Sequence, residues 1–429
     1  MGLILVCRLG DCPAYPQILI FPYPTVGTEP TFTAQTMRTN QRKDFMMRIH
    51  VRPKDIVAKF RLAASVVAST DIAPILQFVK MTAEKEHGVT LQATDGEVAI
   101  RLGVDYNELS QDGEALLPSK RLLQILDATD EEELTINRTE SELKIVGAKE
   151  KYTCNVSLPG NFPDIEEFEE TAYHVIPANV LRETIRRTIF AVDPVSLKYA
   201  LGGVCFEMND RTISVVATDG RRLAWQEGYG KCAGDHKVEK AIVPAKTLQV
   251  LDRILSDKCL GENEDVKMAL HVSVDARDMV SGTVSFQYQG ISLYSRLLQG
   301  RFPKWREIIP ATDGKVPSVI SCGELLSAAL KAQLATDSDH PGIQFTFNDQ
   351  KLTLQGEGRK TGVAEIELDN VHCEQPKTLM LDAKFMTSFL RGLSPDTVLS
   401  IYLPPENEPV TIAADGDGYT YIVMPMSDK

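Results

Sequence analysis

Leu91-Gln-Ala-Thr-Asp-Gly96 and Val215-Val-Ala-Thr-Asp-Gly220 end in the same four residues, and Thr94 and Thr218 stand 124 residues apart. Self-similarity at a fixed distance is the mark of a chain built from repeated units. Two more landmarks keep the order. Leu117-Pro-Ser-Lys120 matches Val243-Pro-Ala-Lys246 at 126 residues, and Gly160-Asn-Phe-Pro163 matches Gly300-Arg-Phe-Pro303 at 140. A third copy is fainter. Ile320-Ser-Cys-Gly-Glu-Leu-Leu-Ser-Ala-Ala-Leu330 resembles the openings Val51-Arg-Pro-Lys-Asp-Ile-Val57 and Ile176-Pro-Ala-Asn-Val-Leu181. Leu381-Asp-Ala-Lys-Phe385 replaces Val243-Pro-Ala-Lys-Thr247, and Leu354-Gln-Gly-Glu-Gly358 stands where the Thr-Asp-Gly turn is expected.

Each unit reads as helix, strands, helix, strands. Arg52 to Ser69, Pro177 to Ala191 and Cys322 to Ala335 carry apolar residues at helical spacing, with Ser321 leading the third. Thr212 to Val216, Leu143 to Val146 and Gln344 to Phe347 are β-branched or alternating and predict strands. Asp-Gly predicts a tight turn, because glycine accepts positive φ at little cost. The expectation is an α+β chain of three tandem repeats, each with two helices on antiparallel sheet. The length of 429 residues suits three domains at roughly 150 residues each. Their expected spans are 47–170, 171–310 and 311–429. Residues 1–45, with five prolines and no helical or strand period, are expected to be a disordered tail or sequence upstream of the true start.

Composition bounds the chemistry. Apolar content of 43% and charged content of 24% are those of a globular protein. No apolar run reaches the roughly 18 residues of a membrane span, and no signal-peptide core is present. The eight cysteines are scattered without metal-ligand or disulfide-framework spacing, which fits reduced thiols in a cytoplasm. A net charge of −13 argues against nucleic acid at first sight, since Lys and Arg drive phosphate binding. Net charge does not say where the charges lie, however.

The helices carry their cations at repeated positions. Lys54 and Arg61 are seven residues apart in the first, while Ile56, Val57, Phe60 and Val67 make the apolar stripe. Arg182 and Arg186 lie one turn apart beside Leu181, Ile185 and Ile189. Lys246 and Arg253 recur as Lys384 and Arg391 at the same spacing, although in the first unit Lys120 is followed by Asp127. Acidic runs at 130–133, 166–170 and 262–265 fall in turns or linkers. Helices with basic outer faces, set side by side, would make a positive wall within an acidic molecule.

Nothing states a catalytic role. There is no Ser/His/Asp arrangement, HExxH, P-loop or GxGxxG, and the seven histidines show no such pattern. Asp95 and Asp219 are the candidates an enzyme would use, but an aspartate in a turn ordinarily forms the turn. No cofactor is expected. A non-DNA scaffold built from the same repeats is the other alternative, and it has no need of repeated basic helix faces.

Val216-Ala-Thr-Asp-Gly-Arg-Arg-Leu-Ala224, Gly300-Arg-Phe-Pro303 and Tyr421-Ile-Val-Met-Pro-Met426, in that order on a threefold repeat, resemble the bacterial DNA polymerase III beta subunit family, the sliding clamps. The resemblance covers 47–429. It implies a head-to-tail dimeric ring of six similar domains, helices inside and sheets outside, around duplex DNA bound without regard to sequence. It also implies a non-catalytic accessory role in DNA replication. The implied partners are the DNA polymerase III alpha subunit, the clamp loader and other proteins with a clamp-binding motif. The resemblance places a pocket for their apolar peptides at Lys198, Leu201, Thr218, Gly220, Arg221, Arg222, Leu223, Pro303, Ile308, Val423, Met424, Pro425 and Met426. Methionines suit such a site, because they adapt to varied apolar side chains. The DNA-facing set is Lys54, Arg61, Arg182, Arg186, Lys198, Tyr199, Lys246, Arg253, Lys384 and Arg391. Glu307 stands where the family often has an arginine, and Ser427 to Lys429 replaces a more basic end. Ser69-Thr-Asp-Ile72 lacks an arginine often placed near DNA.

Overall fold

The structure, a computed structural model, describes residues 47–68, 73–140, 142–155, 159–193, 195, 200–209, 211–234, 240–256, 264–274, 279–312, 314–405 and 408–426. The expected tail 1–45, the loop pair Lys198 and Tyr199, all of Ser69-Thr-Asp-Ile72 and residues 427–429 lie outside these.

The described helices are α1 Pro53–Ala64, α2 Ser119–Ala128, α3 Ala178–Thr188, α4 Ala245–Ser256, α5 Cys322–Gln333 and α6 Ala383–Leu390. Their starts follow local chemistry. Pro53 supplies the fixed φ of a first turn in α1. Ser321 caps α5 by accepting from the Glu324 N–H, while its hydroxyl donates to the Glu324 carboxylate at 2.8 Å. Asp382 caps α6 by accepting from the Lys384 and Phe385 N–H groups at 2.8 and 3.0 Å.

The strands form four antiparallel sheets, of five, nine, eight and four strands. One order of pairing occurs three times. Phe78–Glu84, Gly88–Thr94 and Val98–Val104 lie beneath α1; Gly203–Met208, Thr212–Thr218 and Arg222–Tyr229 take the same order with α3; Gly342–Asn348, Lys351–Gly358 and Gly362–Asp369 take it with α5. The sheets run through the seams between repeats. Val98–Val104 pairs with Ile291–Arg296, Val98 opposite Ser295. Arg222–Tyr229 pairs with Tyr419–Val423, Arg222 opposite Val423. The same two edges are left over at the outer ends, where Lys151–Asn155 and Gly362–Asp369 each end a sheet.

The third repeat departs from expectation. Residues 354–358 are strand throughout, and the turn falls after them, ending at Gly362 with φ of 87°. Gly356 takes the place of Ala93 and Ala217. A Cβ there would lie 2.0 Å from the Ala332 carbonyl oxygen, so glycine lets α5 sit closer to its sheet than its counterparts do.

Candidate functional site

The two Thr-Asp-Gly elements are the same hydrogen-bonded device. In the first, the Thr94 hydroxyl donates to the Val98 carbonyl at 2.8 Å, and Asp95 Oδ1 accepts from the Glu97 and Val98 N–H groups at 2.9 and 2.8 Å. In the second, Thr218 donates to the Arg222 carbonyl at 2.6 Å, and Asp219 Oδ1 accepts from Arg221 and Arg222 at 2.9 and 3.0 Å. Gly96 and Gly220 hold φ of 93° and 86°. Both aspartates therefore form turns, and neither is presented as a base.

The six helices adjoin in a row. α2 packs on α1, α1 on α4, α4 on α3, and α6 on α5. Gly392, just beyond α6, lies against the Arg186–Arg187 backbone of α3, which joins the last pair to the row. Of the expected DNA-facing residues, Lys54, Arg186, Arg253, Lys384 and Arg391 are exposed, and among the described residues none of them is in an ion pair. Three others are neutralised within the chain. Arg61 pairs with Asp127 of α2, Arg182 with Asp252 of α4 at 3.2 Å, and Lys246 with Asp95. The acidic residues thus do not all stand apart in turns and linkers: Asp127 and Asp252 occupy the neighbouring helices, within reach because each helix pair packs side by side.

Lys246 ties two repeats together. Burial pushes the Asp95 carboxyl up, but the hydrogen bond from Lys246, those from the Val98 and Glu97 N–H groups and the Lys246 charge outweigh it. The carboxyl therefore lies below the ordinary carboxylate range.

Several residues of the expected partner groove lie at the second seam. Residues 222 to 229 alternate between two faces, as a strand must. The helix-facing side holds a polar and aromatic lock. Arg187 donates to Gln226 at 2.9 Å and pairs with Glu183 at 2.6 Å and Asp417 at 3.2 Å, and the Tyr419 hydroxyl donates to the Arg187 carbonyl at 2.6 Å. Tyr421 stacks on Phe389 of α6 with ring centroids 4.3 Å apart, and burial pushes its hydroxyl well above the usual tyrosine range.

Arg222 belongs to this lock. It donates to Asp219 Oδ2 at 2.9 Å and to the Phe190 carbonyl at 2.6 Å, and lies 4.1 Å over the Phe385 ring. Its cross-strand partner Val423 is fully buried on the same side. Strand alternation has therefore turned both residues toward the helices, away from the face that carries Leu223.

On that other face Leu223 is buried opposite Ile422. Leu201 and Thr218 are buried nearby in sequence terms, Pro303 is half-buried, and Arg221 and Ile308 are exposed. Met424 is 41% exposed and its N–H donates to the Arg221 carbonyl at 2.9 Å, while the Met426 N–H donates to Met380 at 2.8 Å. The C-terminal segment thus leaves the sheet at Val423 and runs beside the Gly220 turn. Sequence reasoning missed the two tryptophans. Trp225 shares the Leu223 face at two residues' distance, and its ring centroid is 5.2 Å from that of Trp305, between Pro303 and Ile308. The alternation past Leu223 was the available signal.

Three repeats, sheets continuous across their seams and a row of helices define the DNA-clamp architecture. The N-terminal and central domain models of the DNA polymerase III beta subunit match residues 47–166 and 175–304. The chain belongs to the DNA polymerase III beta subunit family, the bacterial beta sliding clamps. The beta sliding clamp of Pseudomonas aeruginosa is 25% identical over 386 residues, 89% of this chain and 100% of that protein. That of Halalkalibacterium halodurans is 28% identical over 253 residues, 57% of this chain and 63% of the relative. Among solved structures, the Bacillus subtilis DNA polymerase sliding clamp superposes with a TM-score of 0.79 at 20% identity, covering 89% of this chain and 100% of that one. A Pseudomonas aeruginosa clamp bound to griselimycin gives 0.78 at 22% identity, with the same coverage.

Proposed function

We propose that two copies of this chain close head to tail into a ring that encircles duplex DNA and tethers the replicative polymerase, without catalysing a reaction. The observation that carries this is the leftover edge at each end. Each internal seam joins the strand after a first-helix hairpin to the last strand of the following sheet. Gly362–Asp369 and Lys151–Asn155 are the two members of that pair left without a partner strand on their outer sides among the described residues. Repeating the internal register, core face beside core face, sets Gly362 opposite Cys154 of the partner subunit and Ala364 opposite the partner's Tyr152. Val363 is 60% exposed on that edge, the kind of apolar strand edge that invites pairing.

A ring separates retention from sequence. Held by topology, it needs only diffuse contacts to phosphate, which the exposed Lys54, Arg186, Arg253, Lys384 and Arg391 supply and salt weakens. A non-DNA scaffold is not favoured by the family. Leu201, Leu223, Pro303, Ile308 and Met424 to Met426 are the residues proposed to receive apolar peptides of the polymerase alpha subunit, the clamp loader and other partners. No described helix is long and apolar enough to cross a membrane, and the proposed role on DNA is one for a cytoplasmic protein.

The test is the mass in solution. Wild type is expected at twice the chain mass, and Glu365→Pro, which removes a ladder N–H from the free edge, at the chain mass with unchanged helix content. A wild-type monomer at all concentrations contradicts the ring.

A further inference from the structure

The chain has two tryptophans, and they touch. Their anchoring differs. Trp305 is 2% exposed, its Nε1 donates to Glu207 Oε1 at 3.1 Å, and Arg306 lies 4.1 Å over its ring while also pairing with Glu207. Trp225 is partly buried as a residue, and its Nε1–H, itself closed to solvent, has no hydrogen-bond partner among the described residues. One indole is fixed by a carboxylate; the other is held by packing alone. Glu207, the carboxylate beside them, is already taken by Trp305 and Arg306.

Position adds to this asymmetry. Trp225 stands two residues from Leu223 on the same strand face, opposite Thr420 as Leu223 is opposite Ile422. Trp305 lies between Pro303 and Ile308. The pair therefore continues the apolar surface of the proposed partner groove. An indole with an unsatisfied N–H and no fixing bond is the side chain there best able to re-seat.

We infer that Trp225 is a specificity-determining residue of the peptide groove, an adjustable aromatic wall that shifts to pack on an apolar side chain of the incoming segment. This rests on the groove reading above. The occupant is an extended peptide: its apolar side chains match the surface, and once the indole shifts, its carbonyls offer the acceptor that the buried Trp225 N–H lacks among the described residues.

The probe is a synthetic peptide copied from the clamp-binding segment of a bacterial DNA polymerase III alpha subunit, titrated into the full chain by calorimetry and by tryptophan emission. Emission is expected to shift in wild type and in Trp305→Phe, and to stay constant in Trp225→Phe. Trp225→Ala is expected to weaken affinity roughly three- to tenfold. Trp225→Phe keeps most of the ring volume and guards against simple misfolding, checked by an unchanged melting profile. If the peptide binds, and deletion of Met424 to Met426 abolishes binding, yet Trp225 emission and the affinities of both variants match wild type, the groove stands and this inference is overturned. If wild type binds no peptide, both fall.

Discussion

Lys246 and Asp95, 151 residues apart, form an ion pair across the seam between the first and second repeats. The cation comes from the start of α4 and the carboxylate from the Thr-Asp-Gly turn, so two landmarks of the internal repeat meet each other. The equivalent aspartate at the next seam, Asp219, is held by Arg222 instead, and Lys384 is left exposed. The same scaffold thus locks its two internal seams with different chemistry.

The Asp95 carboxyl is depressed in the folded chain, so its contribution is fully present above the unfolded-state carboxylate pKa and is lost as pH falls from there through the folded value. Thermal melts should therefore show a wild-type stability advantage over Asp95→Asn at neutral pH that shrinks below about pH 4. Lys246 is half-exposed, so the pair is worth about 1 kcal/mol at low salt and less at high salt. An advantage that grows on acidification would contradict the assignment.

Arg187→Met should destabilise the second seam by about 2 to 3 kcal/mol, because Gln226 loses its partner within a buried network. Chemical denaturation is the check. A change within a few tenths of a kcal/mol would mean that the network is not what holds the sheet together.

Gly356→Ala should cost about 1 to 3 kcal/mol, since the new methyl meets the Ala332 carbonyl of α5. The reverse change in an equivalent place, Ala217→Gly, removes a buried methyl without a clash and should cost about 1 kcal/mol. A Gly356→Ala cost within a few tenths of a kcal/mol of zero would show that α5 does not need the glycine to approach its sheet.

Reversing Arg186, Arg253, Lys384 and Arg391 to Glu should weaken retention on DNA and flatten its salt dependence. The same reversal at Arg61 and Arg182, already paired with Asp127 and Asp252, should weaken retention less. Equal losses for the two sets, measured on loaded rings across a salt series, would refute the division.

Much of this was legible in the sequence. The repeated Ala-Thr-Asp-Gly needs a hydroxyl, a carboxylate and a glycine in fixed order, so it survives as letters and predicts its turn. Helical and strand spacing gave α1, α3 and α5 to within a few residues. The neutralised cations were not legible, because Arg61 with Asp127 and Lys246 with Asp95 meet only once helices and repeats are placed side by side. Arg222 and Val423 are expected in the groove because the motif contains them, and the motif did not reveal that strand alternation turns both toward the helices rather than to the Leu223 side. Gly356 looked like a decayed turn, and only the Ala332 carbonyl shows that it makes room for a helix.

The central claim is enclosure of DNA by two copies. The most direct measurement is retention on a nicked circular duplex after loading, compared with the same duplex cut once. The ring predicts protein that stays on the circle through a high-salt wash and leaves when the circle is linearised; loss at equal rates from both forms would contradict it.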